Sequence, residues 1–575
     1  MIVCDEQQIR EYTDRGWWGQ ECLHDLFERN VAAVPNRVAA IDPLNRTDFT
    51  DGAPKRHTYR ELKERVDQFA RLMVHLGLKK DDILLIQMPN VMEYFYIYLA
   101  ASRLGIIVSP VPMQYRDREL AQIARILEPA AIVTTNNFKG GNHAEGALLG
   151  AAYMEEHGLA RPMVLSWGDK TPDGAISLDE LMEQELPEGT LRSYLETITV
   201  TANDVFTICW TSGTEGKPKG IPRTHNHWIA ISYGTFDGSH IQEGDILLNP
   251  FPMINMASIG GLFMSWLHSK GTLVLHHPLD LPTFLRQIAT EKVTFTLVPP
   301  ALLNMLLKDE ALMSRVDIGS IRAIGSGSAP LDEWMVKGYL EKYGIQIINH
   351  FGSNEGVSLI SGAEDVPDPE RRARYFPRFG VKGYAWANRV AERLVTRIVD
   401  PETGEEITTP RRPGELQIKG AGVFAGYFKA PEQTRQAFTD DGYFKTGDMF
   451  QIAGDGEEEA FYQFVGRCKD IIIRGGMNIA PAELDDLLNS HADIEEAAVA
   501  GYPDDVLGER IAAFVVPRAG VELSLEDIVE FLKGKHIASF KLPEKLVFVK
   551  ELPRNPLGKV IRRDLLQYLE GSKHV

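Results

Sequence analysis

Ten consecutive residues, TSGTEGKPKG from Thr211 to Gly220, hold three glycines, three hydroxyl side chains, two lysines and one acid, Glu215. Glycines let successive backbone N–H groups turn toward an anion, and Ser and Thr hydroxyls add donors. The composition suits a loop that holds phosphate. The run before it, DVFTICWT, is apolar and β-rich, so the order is strand, then loop. A P-loop would need GxxxxGK[ST] running straight into a helix. Here the spacing is Gly213-x-x-Gly216-Lys217, and Pro218 bars a helix interior. Taken by itself, the stretch also reads as a surface Gly/Ser turn.

Other stretches rich in chemistry-bearing residues follow in order: GSGSAP at Gly325–Pro330, INHFGSNEG around Phe351 and Glu355, FAGYFKAPEQT, GYFKTGD ending at Asp448, FVGRCKDIIIRGG with Arg467, and LPRNPLGKV with Lys559. With the pattern Thr-Ser-Gly-Thr-x-Gly-x-Pro-Lys-Gly, they resemble the signatures of the adenylate-forming superfamily. That group comprises acyl-CoA synthetases, carrier-protein adenylation domains and firefly-type luciferases. The match runs from the TYREL segment near residue 58 to Lys559.

The resemblance implies a role for each position. Thr211, Ser212, Gly213, Thr214, Glu215, Gly216 and Lys217 would surround the ATP phosphates. Gly327, Ser328, Ala329 and Pro330 would form the adenine turn. Asn349, His350, Phe351, Gly352, Ser353 and Asn354 would belong to the nucleotide motif, with Phe351 offering a stacking face. Asp448 would accept from the ribose hydroxyls beside Arg467. Glu355 and Thr214 would hold Mg²⁺, a hard ion that prefers oxygen ligands and bridging phosphates. Lys559, Glu355 and Thr214 form the expected catalytic set, with Lys559 a point charge on a long stem. Lys469 falls on the family's hinge position. Arg474, Gly475 and Gly476 would line a pantetheine tunnel for CoA. Asn255, Met256, Ile259, Gly325 and Val357 would line the acyl pocket; core packing is the competing reading of Ile259 and the two methionines, Met253 and Met256.

Two positions depart from the family. Glu215 stands where relatives often have Thr; it points either to solvent or toward a cation such as Lys217 or Mg²⁺. Asn354 also replaces a Thr, and its amide could still donate to the α-phosphate.

The chemistry implied is carboxylate activation. A carboxylate is a poor acyl donor because its leaving group would be oxide. Adenylation supplies AMP as the leaving group, and the second step passes the acyl group to a thiol. The expected reaction is that of an AMP-forming acid–CoA ligase using ATP, Mg²⁺ and CoA. GIPRTHNHW, from Gly220, resembles the branch that activates aryl acids, so an aromatic or alicyclic acid is favoured. A stand-alone aryl-acid adenylase that loads a carrier protein is the main alternative. A luciferase-like oxygenase and a non-catalytic nucleotide-binding regulator are more distant ones. The resemblance also admits a homodimer.

These residues need a scaffold of more than one domain, since 575 residues exceed a single core. TYRELKERVDQFARLMVHLGLKK is an amphipathic helix opened by capping-box spacing at Thr58 and Glu61. Strand and helix signals alternate from there to about residue 135, and again after 240, which predicts helix-flanked α/β sheets. From about Arg393 the texture turns to short strands and turns, a β-barrel-like region spanning about 393–466. GDG near residue 455 reads as an Asp-Gly hairpin turn with Glu457–Glu459 at its tip. SGAEDVPDPERRARYFPRFG, from Ser361, reads as a loop. The expectation is a large multi-subdomain N-terminal part, 1–468, and a small mobile α+β domain, 469–575.

The net charge of −19 argues against sequence-independent nucleic-acid binding and against anionic membranes. Cys4, Cys22, Cys209 and Cys468 are scattered, without metal-site spacing. The most apolar run, Asp82 to Val111, is broken by Pro89, Asn90, Glu93 and Arg103 and reads as buried strand and helix rather than an integral membrane segment. A cytoplasmic enzyme is expected.

Overall fold

The computed structural model describes all residues except 188, 213–217, 475–476, 505–506, 536, 538, 555–559 and 572–575. The chain forms two compact units, Met1–Val395 with Ile418–Phe444, and Thr396–Gln417 with Lys445–Val575.

The first unit is built on two mixed sheets. One has eight strands, in the order Ser358–Ser361, Gln346–Gly352, Ala323–Gly327, Phe295–Leu297, Ile246–Asn249, Thr272–Leu275, Val38–Ile41 and Arg56–Thr58. Its inner strands are parallel and both edge strands are antiparallel. The other has seven strands and ends with Val205–Ser212 paired antiparallel to Pro218–Thr224. One apolar cluster joins both sheets to the helices Tyr59–His75, Glu93–Leu104 and His225–Gly238. Parallel strands buried on both faces suit the apolar runs ILLI and AIV that open the strands Ile83–Gln87 and Ala131–Thr135.

Local signals work as the sequence suggests. Thr58 Oγ1 accepts from the Glu61 N–H while Glu61 returns to the Thr58 N–H, a complete capping box. Leu62, Val66, Phe69, Ala70 and Met73 are buried on one face of that helix. The helix Glu93–Leu104 is buried around nearly its whole circumference, which accounts for its largely apolar middle, Tyr94 to Ala101. Among the described residues, no helix is long and apolar enough to cross a membrane.

The second unit carries the antiparallel pair Phe444–Ile452 and Phe461–Arg467. A separate sheet contains Ile472–Arg474, Met477–Ile479, Ile494–Asp504, Gly508–Pro517 and Lys545–Phe548. The helices Pro481–Asn489 and Leu525–Gly534 pack on it through Leu484, Leu488, Ile528 and Leu532. The α/β class expected from the alternation is the observed one.

Two local expectations are corrected. The segment after Ser361 is not all loop. Asp368 caps a helix, Pro369–Arg374, by accepting from the Arg371 N–H at 2.9 Å, and Pro369 occupies its first turn. The Asp-Pro pair was a helix start rather than a turn. The hairpin near 455 is real, but its strands are joined by a short 3-10 helix, Gly456–Ala460, and not by a tight Asp-Gly turn. Asp455 instead pairs with Arg411 at 2.9 Å.

Candidate active site

The strands on either side of the expected phosphate loop pair with each other, antiparallel. Thr211 pairs with Lys219 and Ser212 with Pro218, so Pro218 re-enters the sheet as an edge strand. Pro218 therefore continues a strand where a P-loop would begin a helix. Gly213, Thr214, Glu215, Gly216 and Lys217 lie outside the described residues, as does the side chain of Ser212. Thr211 is half-buried.

The second motif lies on the strand Gln346–Gly352, parallel to Ala323–Gly327 with Gly325 opposite Ile348 and Gly327 opposite His350. The two glycines are required by this approach. A Cβ on Gly325 would lie 2.3 Å from Leu297 Cδ2 and 2.8 Å from His350 Nε2, and one on Gly327 would lie 2.1 Å from the His350 carbonyl oxygen. Ser328 turns the chain with φ +69°, and Ser328, Ala329 and Pro330 are exposed.

Strand alternation splits the motif between two faces. Asn349 Nδ2 donates to the carbonyls of Arg372 and Ala373, and the Phe351 ring lies 5.9 Å from that of Phe376. His350 projects to the opposite face, beside Gly325. Its Nε2 is buried without a hydrogen-bond partner among the described residues, and burial pulls its pKa down to about 4, so the ring is neutral.

The strand ends in a tight turn. Ser353 N–H donates to the Val357 carbonyl at 3.2 Å, and Gly356 N–H to the Ser353 carbonyl at 3.1 Å. Gly356 has φ +111°, and a Cβ there would lie 2.0 Å from the Gly422 carbonyl oxygen. Only glycine fits this contact. Gly352 is exposed, and the Ser353 Oγ is buried with no partner among the described residues.

Asn354 is a three-way tie. Its Oδ1 accepts from Met256 N–H at 2.8 Å, its Nδ2 donates to the Trp210 carbonyl at 3.2 Å, and its own carbonyl accepts from Arg223 at 2.8 Å. The first two bonds link the expected acyl pocket to the end of the phosphate-loop strand.

Glu355 is half-buried. Its carbonyl accepts from Phe424 N–H at 2.8 Å, and its Oε1 accepts from the Tyr427 hydroxyl at 3.3 Å. Burial, then the Glu355 charge, pushes the Tyr427 phenol upward, so it stays a donor. Among the described residues no cation pairs with Glu355. A fixed carboxylate without a cationic partner fits Mg²⁺. No cluster of three or more metal-ligating side chains occurs among the described residues, and Mg²⁺ needs none when phosphates supply most of its oxygens.

Around the expected acyl pocket, Asn255 caps the π-helix Met256–Phe263 by accepting from Ser258 N–H at 3.2 Å. Met256 is half-buried, while Met253, Ile259 and Val357 are fully packed. A Cβ on Gly260 would meet Met256 Sδ at 2.8 Å, so Met256 crosses the helix face there.

In the second unit, Asp448 and Arg467 are direct cross-strand partners, with Arg467 Nε 3.4 Å from Asp448 Oδ1. Lys469 sits in the single turn Cys468–Asp470 that follows, its side chain outside the described residues. Arg474 pairs with Glu544, which Arg510 also approaches at 3.2 Å. Gly475, Gly476 and Lys559 lie outside the described residues.

Three residues were not singled out from the sequence: Phe424 and Tyr427, which bond to Glu355, and Arg223, which bonds to the preceding Asn354 carbonyl. Both segments that carry them, GIPRTHNHW and FAGYFKAPEQT, had been recognised, without a role for these side chains.

Fold and motifs together define a nucleotide-binding enzyme of the adenylate-forming class. The family model for AMP-binding enzymes matches residues 27–428, and that for the AMP-binding enzyme C-terminal domain matches residues 483–559. The chain belongs to the AMP-binding enzyme family. A probable CoA ligase from Humulus lupulus is 30% identical over 528 residues, covering 90% of this chain and 89% of its own length. The medium-chain fatty-acid–CoA ligase of Escherichia coli is 27% identical and covers 99% and 94%. The crystal structure of ATP-bound MatB from Rhodopseudomonas palustris aligns with a TM-score of 0.77 at 26% identity, over 96% of this chain and 99% of that one.

Proposed function

We propose that the chain is an AMP-forming acid–CoA ligase whose acid is aromatic or alicyclic. The carboxylate oxygen attacks the α-phosphorus of ATP and pyrophosphate leaves. The CoA thiol then attacks the acyl carbon, a thioester forms and AMP departs. Two anions must meet in the first step, so catalysis is mainly positioning and charge stabilisation.

The observation that carries this reading is Glu355, held by Phe424 and Tyr427 with no cation paired to it among the described residues. It would hold Mg²⁺, which when bound offsets phosphate charge. Thr211 to Lys217 would hold the phosphates and Thr214 would reach the metal. Phe351 would stack on adenine, and Asp448 with Arg467 would bind the ribose. Lys559 would meet the carboxylate and α-phosphate. Residues 1–468 and 469–575 would act as two domains hinged at Lys469, with Arg474, Gly475 and Gly476 beside the pantetheine arm. The neutral His350 ring faces away from Phe351, toward Gly325, which supports placing it on the acid side. Half-buried Met256 supports an adaptable apolar wall.

The test is pyrophosphate release with Mg-ATP across benzoic, cinnamic, cyclohexanecarboxylic and medium-chain acids, with and without CoA, with products weighed by mass spectrometry. Rapid turnover only with CoA and a cyclic acid supports the reading. A preference for medium-chain acids overturns the acid class. Adenylate without thioester points to a carrier-protein acceptor.

A further inference from the structure

Arg223 lies near the end of the strand Pro218–Thr224 and is fully buried. One terminal nitrogen donates to the Asn354 carbonyl at 2.8 Å. The other donates to the Gly422 carbonyl at 2.9 Å and the His227 carbonyl at 3.1 Å. Its guanidinium lies 4.6 Å from the Trp228 ring centroid. Every acceptor is neutral, and among the described residues no carboxylate forms an ion pair with it. Nε is a buried donor with no partner there. A guanidinium taken from water without a counter-ion is costly, so its retention calls for a reason.

The neighbouring backbone supplies one. The Glu355 turn lies directly on residues 422–424: Gly356 abuts the Gly422 carbonyl, and Phe424 N–H donates to the Glu355 carbonyl. Arg223 bonds to both sides of that contact, at Asn354 and at Gly422. We infer that Arg223 is a positioning residue for the metal-holding carboxylate, clamping the Asn354–Glu355 turn to the Gly422 backbone so that Glu355 meets Mg²⁺ in one geometry. The assignment rests on the ligase reading of Glu355. Electrostatics agree: burial pulls the Arg223 pKa down to about 10, and Cys209 and Glu355 act in the opposite direction.

The experiment uses Mn²⁺ as the probe. Its binding to the full chain saturated with a non-hydrolysable ATP analogue is followed by electron paramagnetic resonance. Arg223→Met keeps a chain to pack on Trp228 and donates nothing. Its Kd for Mn²⁺ should rise by about tenfold or more, the size of one lost charge-assisted hydrogen bond. Thioester formation from preformed acyl-adenylate and CoA, which uses no metal, should stay within about twofold of the parent. Arg223→Lys, with a compact donor in place of the fork, should fall between. An unchanged Mn²⁺ Kd in folded Arg223→Met overturns the proposal, and so does an equal loss in both half-reactions. If Arg223→Met does not fold, Arg223→Lys carries the same measurement. Failure of both to fold overturns the proposal, because the residue would then be a pin for the core alone. Parent protein that binds no Mn²⁺ in the nucleotide complex fails the ligase reading itself, a result separable from any effect of the variants.

Discussion

Arg46 and Arg223 are both buried guanidiniums of the same unit, in opposite surroundings. Arg46 donates to Asp42 at 2.7 Å and to both oxygens of Glu93 at 2.9 and 3.0 Å, and Lys55 reaches Glu93 at 2.5 Å. Two acids face two bases, and the cluster is closed. Asp42 also accepts from Met92 N–H at 2.6 Å, at the start of the helix Glu93–Leu104. Among the described residues, Arg223 donates only to carbonyls. A closed cluster spends its charge on itself and fixes the fold. An uncompensated charge in a low-dielectric interior still acts on its neighbours. The contrast teaches that burial of a charge says little about its role until its partners are known.

The sharpest way to break the comparison is Arg46→Met. It leaves two buried carboxylates with only Lys55 for compensation. Removing one partner of a buried ion pair costs about 3–5 kcal/mol, so the urea midpoint of the first unit should fall sharply. The Mg²⁺ dependence of pyrophosphate release by the remaining folded protein should match the parent. A change in metal dependence would erase the distinction between the regions. Glu355→Gln should behave inversely. Pyrophosphate release should drop by about 10²–10³-fold, the usual loss for a group that stabilises transition-state charge, with melting close to the parent. A rate within a few-fold of the parent would remove Glu355 from the site.

Acid separates the two regions next. His227 accepts from Arg223 through its carbonyl and has a ring held well below its ordinary 6.5 by burial, then by Arg223. His225, its neighbour, is pulled to about 3 by burial. The unfolded chain takes up these protons near pH 6.5, before the folded chain does, so stability around Arg223 falls as the pH drops below 6.5. Glu93 moves the other way. Burial opposes its charge, but Arg46 and Lys55 overcome that and hold its pKa at about 2, below the ordinary 4.5. Its contribution is present above pH 4.5 and is lost as the pH falls toward 2. Hydrogen exchange at stepped pH should show amides near 223–228 loosening first and those near 93–104 later. Simultaneous loosening would merge the two regions into one cooperative block.

Much of this was legible in the chain. Alternating strand and helix signals gave the sheets, and Thr58 with Glu61 gave a cap that the structure reproduces atom by atom. Glu93 was visible only as a break in an apolar run, because its partner Arg46 lies 47 residues away. Arg223 was hidden for a stronger reason. Its acceptors are main-chain carbonyls as far as 199 residues distant, and a carbonyl leaves no mark in the residue types. Asn354 shows the same limit: as a departure from Thr it was noticed, but its ties to Met256 and Trp210 depend on how three elements meet. The strand pair on either side of the expected phosphate loop was half legible, since the strand before it is β-rich whereas PKGIPRT, with two prolines, resembles no strand.

The smallest expected effect tests the outer side of the same carboxylate. Tyr427→Phe deletes the hydroxyl that donates to Glu355 Oε1 at 3.3 Å. The ring remains, against Phe424 at 4.9 Å and under Lys219 at 4.9 Å, so packing is kept. The bond is long, and its loss should cost about 1 kcal/mol. That corresponds to roughly a fivefold rise in the Mg²⁺ concentration for half-maximal pyrophosphate release, with kcat at saturating Mg²⁺ near the parent value. Arg223 grips the turn through its backbone, whereas Tyr427 grips the carboxylate itself. The two losses should therefore add in the double variant if each acts on its own part of Glu355. A double variant no worse than Arg223→Met alone would mean that the carboxylate has already left the tyrosine once the turn is released.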